Sequence, residues 1–283
     1  MLREIALVST TGKVPLAEVA QVAAALQRQV LRDLAPLWSL KACVSAFPSL
    51  REIPVGYWPV VIADEIPEPG AAGLHLDRHG SPYCLVEAGP TWALAASHEC
   101  LAMLVDPSGS RQIWGPSPIA DQGEVGFLVE VADPCQDIQF GYMIDGVLVS
   151  DFCTPAFFEP EHGTGPYSFT GAVERPLEAL RNGYLSWFDP RSRDWYQQRH
   201  FGREPKFGSL GRPTNAHRCL REFTNGAEAD HRRLSHFSAA ATQRLRPRLK
   251  QQVEASSGTA DLLYEEIGDL SRRLSVPALA QRG

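Results

Sequence analysis

The chain has 283 residues, with 27 basic and 33 acidic side chains, a formal net charge of −6, and 44% hydrophobic and 21% charged residues. That length fits one large domain or two modest ones. The composition excludes a globally disordered chain, and the charge excludes a uniformly basic nucleic-acid binder.

In chain order, the start MLREIALVST has Glu4 where an export signal would need an apolar core, and no run approaches the ~18 apolar residues of a membrane span. A cytoplasmic protein without membrane contact is expected. Residues 4–9 (EIALVS) read as a first strand. Residues 16–34 then carry Val19, Val22, Ala23, Leu26, Val30 and Leu31 at helical spacing, with Pro15 suiting the first turn and Ala35-Pro36 the end. Residues 42–47 and 58–63 read as the second and third strands. Residues 73–76 and 83–87 read as a hairpin around His79-Gly80-Ser81-Pro82.

A helix is expected from about Thr91 to Val105, stopped by Asp106-Pro107 because a residue before proline avoids the helical region. A Pro/Gly-rich stretch, 114–126, precedes a strand over 127–132 (FLVEVA). Residues 140–150 read as a second hairpin turning at Asp145-Gly146. The stretch 151–202 is aromatic and turn-rich without usable periodicity.

The charge is divided along the chain. Residues 1–202 carry 13 basic and 24 acidic side chains, a balance of −11; residues 203–283 carry 14 and 9, a balance of +5. The domain reading follows: a globular body over 1–202 and a basic, polar, helical or flexible appendage over 203–283. Helical pieces are expected around 238–253 and 261–274. Arg232, Arg233, Arg244, Arg246, Arg248 and Lys250 read as a solvated basic surface. The six cysteines stand singly, without a CxxC, and read as reduced thiols.

One local signal carries a mechanism. Ser97-His98-Glu99 lies inside the apolar helix that follows the first hairpin. This arrangement over roughly the first 106 residues resembles the zincin metallopeptidases, whose active-site helix bears His-Glu-x-x-His. The resemblance implies an α+β fold with a zincin-like N-terminal half (mixed sheet plus active-site-type helix) and a β-rich middle. It also implies zinc as cofactor, His98 as a ligand, Glu99 as the general base on metal-bound water, and an extended peptide held along residues 83–87 or 73–76.

The motif departs at its second histidine, where the chain has Ala102, which has no ligating atom. Replacement ligands are then sought among carboxylates. Asp106 is eight residues past His98, about 12 Å along a straight helix, so it joins only through a bend at Pro107. Glu130 and Asp133 come from a separate element, and His75, His79 and His162 are further candidates.

Each has a plainer reading. His98 is then a hydrogen-bonded, half-buried histidine, Asp106 and Asp133 are turn residues before proline, and Glu130 is the outward residue of a strand. Two functions follow. One is a metal-dependent peptidase or hydrolase using His98, Asp106 and Glu130 with Glu99 as base. The other is a catalytically inactive zincin-fold protein, a pseudoenzyme, that binds a peptide or protein partner through the old cleft or through 151–202. Nucleic acid is not an expected partner. The chain has no GxGxxG, GxxxxGK[ST] or GxSxG motif.

Overall fold

The computed structural model describes residues 2–68, 70–77, 80–159, 164–214 and 219–226. In chain order the elements are β1 (Arg3–Ser9), α1 (Leu16–Arg28), a π-helical turn (Gln29–Leu34), α2 (Ala35–Trp38), β2 (Ala42–Phe47), β3 (Trp58–Ala63), β4 (Gly73–Asp77), β5 (Pro82–Glu87) and α3 (Trp92–Val105). Then follow β6 (Gln112–Pro116), β7 (Glu124–Leu128), β8 (Tyr142–Ile144), β9 (Val147–Val149), α4 (Pro155–Phe158), β10 (Tyr184–Asp189), β11 (Asp194–Arg199), β12 (Lys206–Gly211) and α5 (Leu220–Gly226). The protein is thus mixed α/β, with several sheets and few helices.

The first sheet has the order β2-β1-β3-β5-β4. β1 runs parallel to β2 and β3, β3 runs parallel to β5, and only the edge strand β4 is antiparallel. The apolar content of β1 explains its central place, since Ile5, Ala6, Leu7 and Val8 are all fully buried. α1 packs across β1 and β2, α3 across β3, β4 and β5, and the β8–β9 hairpin touches both helices through β9. The second sheet is an antiparallel meander, β12-β11-β10-β7-β6. One of its faces sends Phe127, Leu185 and Trp187 into the main core. Its other face brings Leu128 and Trp195 against Phe223 of α5.

Several expectations need correction. The helix over 16–34 does not stop at Ala35-Pro36. It changes to a π turn at Gln29, which shifts the buried stripe so that Gln29 and Asp33 turn inward and Leu31, read as part of the stripe, is 53% exposed. Pro36 then sits in the first turn of α2, where its missing N–H is no loss.

The strand expected over 127–132 ends at Leu128. The amide of Glu130 donates to its own Leu128 carbonyl (2.9 Å), a tight turn that leaves the ladder. Glu130 therefore points inward and is 1% exposed, not outward. The boundary at 202 cuts through the body: β12 pairs with β11, and α5 supplies Arg221 and Phe223 to buried contacts. The aromatics of 151–202 are largely core, with Phe152, Phe157, Phe158, Tyr184, Trp187 and Trp195 all buried. Among the described residues, no helix is long and apolar enough to cross a membrane. His79, His162 and the helical pieces expected past 238 lie outside the described residues.

Candidate functional site

α3 is apolar nearly all round, which makes it a central helix instead of a surface one. Its three polar residues in sequence, Ser97, His98 and Glu99, leave in three directions. Ser97 faces the π turn and β9: its hydroxyl donates to Gln29 Oε1 (2.8 Å) and accepts from the Ser150 amide (2.9 Å). The Gln29 amide closes the loop onto the Ser150 carbonyl (2.9 Å). This buried polar network fixes the rotation of α3 about its axis.

Glu99 leans on β4. A methyl group at Gly73 would meet Glu99 Cγ at 2.7 Å, so the strand approaches the helix only because that position lacks a side chain. His75 lies two residues further along β4, on the same sheet face. It is 2% exposed, with Nε2 at 3.2 Å from the Pro107 carbonyl. That carbonyl can only accept, so the proton belongs on Nε2 and Nδ1 keeps a lone pair. Burial, and then the Arg221 charge, push the His75 imidazole down to about 3, so it is neutral at physiological pH.

His98 is nearly covered, and what it meets is an arginine. Arg221 enters from α5 and is 2% exposed. Its Nη1 donates to Asp133 Oδ2 (3.0 Å), and Nη2 lies 3.3 Å from His98 Nε2 and 3.5 Å from Glu99 Oε2. His98 Nε2 also lies 3.3 Å from Asp133 Oδ1, which already receives the Tyr184 hydroxyl proton (2.5 Å). Arginine only donates and a carboxylate only accepts, so Nε2 of His98 faces a donor and an acceptor at the same 3.3 Å. α5 is seated by its own backbone: the Arg221 amide donates to the Gly109 carbonyl (2.9 Å) and the Leu220 amide reaches Ser110 Oγ (3.3 Å). Gly109 has φ +59, and a side chain there would crowd Cys219 and the Arg221 stem.

The two remaining carboxylates take opposite states. Burial opposes ionisation of Asp133, but the Arg221 guanidinium and then His98 overcome it and hold the group far below the usual carboxylate range. Glu130 is pushed up to about 8 by burial and by the Asp133 charge, against Arg221 and its hydrogen bonds from Ser186 Oγ (2.9 Å) and Thr224 Oγ1 (3.0 Å). Burial thus favours its neutral, protonated form.

Of the sequence-derived candidates, the structure brings His98, Glu99 and Asp133 around the Arg221 guanidinium, holds Glu130 on Ser186 and Thr224, and sets Asp106 apart. Asp106 caps its own turn, accepting from Ser108 Oγ (3.0 Å) and the Arg111 amide (2.8 Å). Ala102 is buried. Sequence reasoning missed Arg221, Tyr184, Thr224 and Asn225, which come from two distant elements without a local motif. Among the described residues, no group of three or more His, Cys, Asp or Glu side chains is arranged to hold a metal ion. The residues do not fit zinc, because a guanidinium fills the space between His98, Glu99 and Asp133. The chain matches no protein-family model, no curated protein and no solved structure.

Proposed function

We propose that this chain is a zincin-like scaffold that binds a peptide or protein partner and does not hydrolyse it. The observation that carries the reading is the Arg221 guanidinium, buried against His98, Glu99 and Asp133. In the peptidases it resembles, the histidine needs a free lone pair for zinc and the glutamate needs access to metal-bound water. Here the pair faces a permanent cation that already neutralises it. Ala102 in place of a second histidine supports the same reading.

Of the two strands considered for an extended partner, residues 83–87 fall in β5, which is paired on both sides, and residues 73–76 in β4, at the sheet edge. The edge strand is the better candidate, because only an edge has a free side for strand addition.

The test is a peptidase assay on protein purified without chelator and supplied with zinc, run beside Glu99→Gln. The reading expects no hydrolysis above that of the variant. Zinc-dependent hydrolysis that Glu99→Gln abolishes would overturn it and restore the hydrolase reading.

A further inference from the structure

We propose that the pocket under α5 is a guanidinium-recognition site, and that α5 is its tethered ligand. This deepens the reading above and rests on it in taking Arg221, not a metal ion, as the cation of the centre. Among the described residues, the acceptors that meet the guanidinium all come from outside α5. Asp133 Oδ2 takes Nη1, while His98 Nε2 and Glu99 Oε2 face Nη2. Two nitrogens of one plane are thus addressed separately, as a planar fork requires and a point charge does not.

The acceptors are held from behind. Tyr184 from β10 fixes Asp133 through its other oxygen, and Gly73 gives Glu99 its room. The acceptors thus belong to the body, while Asn225 of α5 meets the same Tyr184 hydroxyl (2.7 Å).

A second observation points to a ligand. Three buried polar atoms among the described residues have no hydrogen-bond partner: Arg221 Nε, Glu99 Oε2 and His75 Nδ1. Glu99 Oε2 stands 3.5 Å from Arg221 Nη2, beyond a good charge-assisted bond, and Arg221 Nε meets no acceptor among the described residues. Arg221 is also held at its backbone, where its amide donates to the Gly109 carbonyl. A free alkylguanidinium has no such restraint. It satisfies Asp133, His98 and Glu99 together.

The experiment is chemical rescue of full-length Arg221→Ala, read as the urea midpoint, with ethylguanidinium at millimolar levels that leave the wild type unchanged. Arg221→Ala lowers the midpoint, and ethylguanidinium restores most of the loss. Ethylammonium and zinc at the same concentration do not, and Arg221→Lys recovers only a small part. Adding Asp133→Asn to the alanine variant removes the rescue.

The same titration on Arg221→Met, which keeps most of the apolar stem, covers an alanine variant too unstable to fold. Absence of rescue in both variants would overturn the proposal, as would equal rescue by ethylammonium or by zinc. Hydrolysis is not read in this experiment, so its outcome is separable from that of the functional test.

Discussion

Arg221 Nη1 and Asp133 Oδ2 are 3.0 Å apart, with side chains 3% and 1% exposed. Such a pair adds little over a well-packed apolar pair, because both charges lose their water, but breaking it strands one charge in the interior. Asp133→Asn and Arg221→Ala are each expected to cost about 3–5 kcal/mol. The double variant is expected to cost clearly less than the sum, because the stranded charge is gone. Chemical denaturation of the four members of the cycle measures this. Simple additivity would show that the pair is not coupled.

Glu130 sets a pH dependence in the alkaline direction. Its folded value is about 8, against an ordinary 4.5. The native state thus keeps a proton that the unfolded chain releases from the lower value upward. The stability contribution is complete below about pH 4.5 and is lost as pH rises through about 8. Glu130→Gln mimics the neutral acid and removes this slope, and it is expected to gain on the order of 5 kcal/mol relative to wild type between acid and alkaline conditions. Equal slopes for variant and wild type would contradict the assignment.

His75 acts at the other end. Its folded value of about 3 lies below the ordinary 6.5. Its contribution is present above about 6.5 and is lost as pH falls toward 3, because the unfolded chain takes up a proton there that the native state refuses. His75→Gln is expected to show a shallower loss of thermal midpoint between about pH 7 and about pH 4.5. An unchanged acid limb would show that His75 is charged or exposed in the native state.

Gly73→Ala tests the approach of β4 to α3. The new methyl would fall 2.7 Å from Glu99 Cγ, so strand or side chain must move. A loss of about 1–3 kcal/mol is expected, as for overpacking elsewhere in a core. The loss is relieved in Gly73→Ala/Glu99→Ala. A loss that the second substitution does not relieve would place the strain elsewhere.

Much of this fold is legible where structure follows local spacing. α3 is a continuous apolar segment with a proline stop. The β8–β9 turn follows from Asp145-Gly146, whose φ values of +50 and +79 are those a tight hairpin needs. Local patterns mislead where tertiary contacts decide. β6 is built from Gln112–Pro116, whose Gly115 and Pro116 read as loop. Glu130 fits strand alternation, yet one backbone hydrogen bond to Leu128 turns it inward.

The site is harder still to read, because its cation comes from far along the chain. Arg221 lies 88 residues from Asp133 and 123 from His98, on a seven-residue helix in a stretch whose composition suggests a solvated tail. His98 and its carboxylates can be listed from sequence. The residue that neutralises them cannot, since nothing in its neighbours records the contact.

The central claim is that a guanidinium, and not a metal ion, is the cation between His98, Glu99 and Asp133. The most direct test is anomalous diffraction at the zinc edge from crystals soaked in zinc. The account predicts continuous guanidinium density from Arg221 and no anomalous peak among these three side chains. A peak there, with Arg221 displaced, would contradict it.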